Sequence, residues 1–161
     1  MSRLPVVYSP NYLTYDFGSG HPFTPHRWEA LHELLSQSDL PIEWIEPEAA
    51  SEDQILNVHS SDFVSAVKAA SEGVTFLHPE FFGLGTGDVP TFRGMHQASA
   101  WITGGTQTAG DLVATGTYRR ALQLSGGLHH AMRTRASGFC VYNDLAVMID
   151  ELRERGFRVA Y

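Results

Sequence analysis

Apolar and polar positions along this chain follow two rhythms, and the switches between them mark out its elements. A short β-branched run at residues 5–8 predicts a first strand, ended by Ser9-Pro10-Asn11. Residues 15–25, rich in glycine, aromatics and proline, read as loop. Thr24 as N-cap with Pro25 at the first helical position then predicts a helix, whose apolar stripe is Trp28, Leu31, Leu34 and Leu35. Residues 41–45 alternate as a second strand. Ser51-Glu52-Asp53-Gln54 is a capping-box signature that opens a short helix through Val58. His59-Ser60-Ser61-Asp62-Phe63 opens another, with Phe63, Val67 and Ala70 on one face; its histidine and hydroxyl read as securing the helix entry.

Residues 73–92 form a long connection containing Phe81-Phe82-Gly83-Leu84-Gly85-Thr86-Gly87-Asp88-Val89-Pro90. Connections of this length without regular structure are usually functional or mobile. Residues 93–114 read as a helix with Met95, Ala98, Ile102, Ala109 and Leu112 near one face. Gly104-Gly105 inside it costs about 1 kcal/mol per glycine relative to alanine, which points to another backbone packed closely against that helix. Residues 118–124 predict a third strand, with Ala121-Leu122-Gln123-Leu124 buried. A last helix starts near Asn143, with Leu145, Met148, Ile149 and Leu152 at i, i+3, i+4, i+7 spacing. Glu151 and Arg155 can pair across one turn, Gly156 is a good C-terminal cap, and residues 157–161 begin another strand. Strand and helix alternate, so the predicted fold is α/β with a mainly parallel sheet.

Composition narrows the function classes. At 161 residues with 43% hydrophobic content the chain suits one domain with a sizeable core. A formal charge of −7 argues against nucleic acid as a partner, and an acidic surface tolerates cationic substrates such as polyamines or lysine-rich peptides. One cysteine excludes an intrachain disulfide and suits a reducing compartment. No apolar run reaches membrane-spanning length and no signal peptide is legible. A cytoplasmic protein is expected.

Candidate chemistry centres on residues 124–145, LSGGLHHAMRTRASGFCVYNDL. A strand end followed by glycines lets the backbone turn sharply and approach a ligand, and in open parallel sheets sites form at the carboxyl ends of strands. Two adjacent imidazoles there, His129 and His130, suit proton transfer near neutral pH. SGGLHHA followed at this distance by ASGFCVYND resembles the histone deacetylase family, including the bacterial acetoin-utilization-type and acetylpolyamine deacetylases. The likeness runs in order from Tyr8 to the last residue.

That resemblance implies the three-layer arginase–deacetylase fold, with residues 1–161 as the N-terminal part of a single domain continuing beyond Tyr161. It implies hydrolysis of an acetylated lysine peptide or acetylated polyamine. His130 would be general base for the water and then acid for the leaving amine, with His129 mainly its electrostatic partner. Phe139 matches an aromatic wall along the substrate's alkyl chain, and Gly138 keeps that wall clear; taken alone, Phe139 also reads as plain core. Gly127 would place a backbone carbonyl or a close approach near the scissile amide. Asp88 matches a rim aspartate that holds substrate backbone, although one extra residue separates it from Gly85, and a turn aspartate before proline is the plainer reading. His21, Pro22 and Arg27 fit the family's loop and channel arginine; without the resemblance Arg27 reads as a solvated helix arginine. Cys140 is expected as an apolar filler.

The family's cofactor is Zn2+, joined in many members by a monovalent cation, and the resemblance places every ligand beyond Tyr161. His21, His26, His32, His59, His78 and His96 are scattered over different elements and offer no compact zinc set. Two readings stand at this point: the N-terminal portion of a zinc-dependent deacetylase, or a truncated, inactive fragment with at most a scaffolding role. A nucleotide-binding domain is disfavoured because no phosphate loop follows any strand. The apolar strand at 157–161 would seek a partner, either a homo-oligomer or the missing C-terminal portion.

Overall fold

The computed structural model describes residues 3–75 and 78–161; residues 76 and 77 of the long connection lie outside the described residues. At its centre is β1 (Leu4–Val7), flanked by β2 (Ile42–Ile45) and β3 (Leu122–Gln123) in a parallel sheet of order β2-β1-β3. Val6 faces Trp44 on one side and Leu122 on the other, while Val7 faces Ile45 and Gln123. The pleat sends alternate residues to opposite faces. On the Val7 face, Gln123 donates from Nε2 to the Ile102 carbonyl of α4 (Met95–Ala114) at 3.3 Å. On the Val6 face, Trp44 meets His32 of α1 (His26–Ser36), whose ring also stacks on Tyr8 at 4.0 Å. Helices therefore cover both faces of a parallel sheet, the expected α/β arrangement.

Helix entries follow the sequence signals closely. Thr24 Oγ1 accepts from His26 N–H at 3.4 Å, with Pro25 already helical at φ −65°. Ser51 and Gln54 complete a reciprocal capping box at α2 (Glu52–Leu56). Ser60 caps α3 (Ser61–Glu72), which buries Phe63, Val67 and Ala70. Asn143 caps α5 (Asp144–Glu154). That helix closes on Gly156: Gly156 N–H donates to the Arg153 carbonyl and Phe157 N–H to the Leu152 carbonyl, a Schellman pair.

Three expectations need correction. Leu34 is 65% exposed, because α1 meets the sheet through His32 and buries Trp28 against the aromatic loop. The third strand is only two residues long, and Leu122 is exposed because β3 lies at the sheet edge among the described residues. Residues 157–161 form no strand; extended chain becomes a strand only with a ladder partner, and none of the described strands pairs with it. On α5 the expected stripe does share a face: Leu145, Met148, Ile149 and Leu152 line one apolar groove against Ala109 and Gly110, and Asp144, Val147 and Met148 are the buried residues of the helix.

The glycine pair in α4 has the cause its cost suggested. A Cβ on Gly104 would run into the Glu48 carbonyl and sit 2.7 Å from Ala50 N, where the 48–50 backbone crosses the helix. Ala50 N–H donates to the Ala100 carbonyl at 2.9 Å and locks that crossing. A Cβ on Gly105 would collide with the Tyr12 hydroxyl and the Gln123 amide. Gly104→Ala is therefore expected to lower stability by about 1–3 kcal/mol, since backbone must shift, although alanine is the better helix former. Chemical denaturation checks this; a midpoint equal to or above the parent's would refute the close-approach account.

Candidate active site

The 124–145 segment has little secondary structure of its own, so its shape is imposed by side chains from elsewhere. Asp144, the first residue of α5, is fully buried. Its Oδ1 accepts from Leu128 N–H at 2.7 Å; its Oδ2 accepts from Gly127 N–H at 2.9 Å and from the Thr106 hydroxyl at 2.5 Å. Burial pushes the Asp144 carboxyl up, against the hydrogen bonds from Thr106, Gly127 and Leu128 that favour its anion. Next to it, Asn143 donates from Nδ2 to the carbonyls of His129 (3.2 Å) and Ala131 (3.0 Å).

The other end of the segment is a tight hairpin. Ser137 and Cys140 exchange both backbone hydrogen bonds, at 3.1 and 2.8 Å, around Gly138 (φ 54°) and Phe139 (φ 67°). Two consecutive left-handed residues make a type I′ turn. A phenylalanine in that conformation costs on the order of 1 kcal/mol or more. The turn is held from beneath by the fully buried Tyr15, whose hydroxyl donates to the Phe139 carbonyl at 2.7 Å and accepts from Val141 N–H at 3.1 Å. From the rim, Asp88 Oδ2 accepts from Gly138 N–H at 2.6 Å. The Phe139 ring meets His21 edge-on at 4.8 Å and Phe23 at 6.0 Å.

Between these two supports lies a cavity of about 280 Å3, lined by Arg27, Gly127, His129, His130, Gly138 and Phe139 together with Phe23, Trp28 and Leu128. The two imidazoles stand nearly perpendicular with centroids 4.5 Å apart. His129 Nδ1 shares a hydrogen bond with the Tyr161 hydroxyl. Gly138 makes room for His130: a Cβ there would lie 2.6 Å from the imidazole Cγ. Such an arrangement, with two exposed imidazoles beside an aromatic wall, can pass protons to and from a ligand held along Phe139.

The histone deacetylase domain model matches residues 21–161. The chain belongs to the histone deacetylase family. It is 43% identical over 159 residues to the acetoin utilization protein AcuC of Bacillus subtilis (strain 168), covering 96% of this chain and 41% of that protein. To AcuC of Staphylococcus aureus (strain MSSA476) it is 39% identical over 149 residues, 91% of this chain and 38% of that one. Its fold matches the crystal structure of a histone deacetylase homologue from Aquifex aeolicus with a TM-score of 0.79 and 26% identity, over 97% of this chain and 42% of that one. A homologue complexed with SAHA matches equally well. The chain therefore spans about two fifths of the length of these relatives, and its fold is the N-terminal portion of the family's arginase–deacetylase architecture.

Six of the seven site residues expected from sequence line that one cavity, and the seventh, Asp88, reaches it through Gly138. Arg27 lies at its edge, exposed, with its guanidinium 5.5 Å from the Phe23 ring centroid. Gly127 uses its carbonyl to accept from His129 N–H at 2.9 Å. Cys140 is buried, and burial pushes its thiol up, away from nucleophile chemistry. Among the described residues no group of three or more histidine, cysteine or acidic side chains is arranged to hold a metal ion. Sequence reading passed over Tyr15, Asn143 and Asp144, which hold the cavity without lining it. In the sequence Asn143 marks only the start of a helix, and Tyr15 lies in an aromatic-rich loop.

His59 ties the segment to α3. Its Nε2 accepts from Asn143 N–H at 2.9 Å, so the proton sits on Nδ1 and is donated to the Met132 carbonyl at 3.0 Å. Burial pulls its pKa from 6.5 down to about 4. The folded state thus keeps a neutral ring where the unfolded chain takes up a proton below about pH 6.5. Stability is fully present above that pH, falls as pH drops toward 4, and levels below it, a change on the order of 3 kcal/mol from this ring. His96, also shifted down by burial, acts in the same direction. Urea denaturation at pH 7.5, 5.5 and 4.5 should show a steep loss that is shallower in His59→Gln; parallel profiles for the two proteins would exclude His59 as the source.

Proposed function

We propose that the chain is the N-terminal portion of a zinc-dependent deacetylase that hydrolyses N-acetyl-lysine or N-acetyl-polyamine amides. The observation that carries this reading is the cavity that gathers Arg27, His129, His130 and Phe139. Family membership and the 43% identity to an acetoin utilization protein support it. The cavity wall at Phe139 would hold the acyl-bearing alkyl chain. His130 would take a proton from the attacking water and return it to the leaving amine, and His129, beside it, would balance the charge. Zinc, when bound, supplies polarisation of the amide carbonyl and a more acidic water. The described residues do not offer it a ligand set, and the family resemblance assigns those ligands to sequence outside this chain. A monovalent cation is assigned there too.

No helix among the described residues is long and apolar enough to cross a membrane; a cytoplasmic location is part of the proposal. Because the family resemblance assigns the zinc ligands to sequence outside it, the 161-residue chain alone is proposed to be inactive; the alternative is a truncated fragment with at most a scaffolding role. The chain would gain activity only within a full-length protein that supplies the rest of the domain, or through an oligomer that does so.

In that full-length protein, His130→Ala should reduce turnover of a fluorogenic acetyl-lysine peptide by ~10²–10⁴-fold with the thermal midpoint retained. Near-parental turnover would remove His130 from the mechanism. Asp88→Ala should impair peptide turnover while zinc content, measured by elemental analysis, stays at the parent level; joint loss of both would make Asp88 structural. Chelator-sensitive turnover by residues 1–161 alone, with one tightly held zinc per chain, would show that a ligand set lies within this segment.

A further inference from the structure

Residues 125–131 carry the tandem histidines on backbone that belongs to no helix or strand. Among the described residues its one internal backbone hydrogen bond is His129 N–H to the Gly127 carbonyl. Gln123 Oε1 accepts from Ser125 N–H at 2.9 Å, and the backbone of His130 and Ala131 also faces the Cys140 thiol. Four further peptide groups are held by two consecutive side chains at the start of α5. Ahead of the histidines, the N–H groups of Gly127 and Leu128 point into the Asp144 carboxylate, at 2.9 and 2.7 Å. Within and after them, the carbonyls of His129 and Ala131 receive the Asn143 amide N–H groups, at 3.2 and 3.0 Å. The polarities are matched: an acceptor-only group meets the donors and an amide donor meets the carbonyls. The adaptor is itself fixed, with Thr106 of α4 bonded to Asp144 and His59 to Asn143 N–H. Space is tight as well, since a Cβ on Gly126 would lie 2.5 Å from Asp144 Oδ2.

We infer that Asn143 and Asp144 are positioning residues for the His129–His130 pair: they set where the imidazoles stand while touching no substrate. This rests on the deacetylase reading for its kinetic consequence and on the hydrogen bonds above for its structural one. An acid–base group displaced by about 1 Å can cost on the order of 10²-fold in rate, so the effect belongs to kcat. Capping and positioning are separable at Asn143. Its Oδ1 caps α5 by accepting from Ala146 N–H at 2.9 Å, a task aspartate performs equally well. The carbonyls of His129 and Ala131 need the Nδ2 donors, which aspartate lacks.

The test compares Asn143→Asp and Asp144→Asn with the parent in the full-length protein, by steady-state kinetics and by hydrogen exchange of peptides covering residues 124–132 and 144–152. Asn143→Asp should lower kcat about 10- to 100-fold with KM changed less than about threefold, speed exchange in 124–132 and leave 144–152 protected. Asp144→Asn should speed exchange at Gly127 and Leu128 further. Turnover within twofold of the parent for Asn143→Asp, or unchanged exchange in 124–132 for both variants, would overturn the inference. If the parent itself deacetylates nothing, the functional reading fails, and the exchange comparison still decides whether these residues hold the pair.

Discussion

A buried carboxylate with no salt-bridge partner among the described residues organises this chain. Asp144 lies fully out of water, and its stability as an acceptor depends on three donors aimed at it from two other parts of the chain. Removing such a group from water is costly unless every lone pair finds a partner. Leaving any of these bonds unmade would carry that cost. Helix α4, the strand-end glycines and the start of α5 come into register as one unit, and Gly126 has no room for a side chain because that unit is closed around it.

The hairpin at Ser137–Cys140 is the complementary case, where strain is held rather than relieved. Phe139 keeps a left-handed backbone that its side chain disfavours, and Tyr15 and Asp88 hold the turn from opposite sides. Aromatic residues of the 15–25 loop and of α1 surround the Tyr15 ring: Phe17 at 5.3 Å, Phe23 at 5.7 Å and Trp28 at 6.4 Å. That packing holds the hydroxyl that bonds the Phe139 carbonyl. Backbone strain maintained by surrounding packing is a common accompaniment of functional sites.

Membership of the histone deacetylase family accords with the α/β architecture seen here. The chain covers some two fifths of its relatives. Its sheet ends at a two-residue β3, and beside it Leu145, Ile149 and Leu152 form an apolar groove that residues 159–161 only partly fill. The cavity brings His129 and His130 together with Arg27 and Phe139, and no metal-binding cluster is arranged among the described residues.

Local chemistry was legible from sequence wherever neighbours along the chain decide the outcome. The capping box at Ser51, the cap at Ser60 and the stop at Gly156 all depend on short-range hydrogen bonds. The Gly104-Gly105 pair pointed to a close approach, but which backbone makes it, residues 48–50, is a tertiary fact. The family resemblance carried by 124–145 points to His129, His130, Gly138 and Phe139, which the fold gathers at one cavity. What sequence could not determine were pairings between distant positions. The 118–124 strand shrank and the 157–161 strand did not form because a strand exists only through its ladder, and ladder partners are a tertiary fact. Leu34 fits the helical stripe but meets no partner, since which face of α1 is covered depends on where Tyr8 and Trp44 lie. Asp144 and Tyr15 are ordinary residues by type and spacing. Their hold on the site arises only when folding brings residues 17 and 126 positions away within hydrogen-bonding distance and shuts water out.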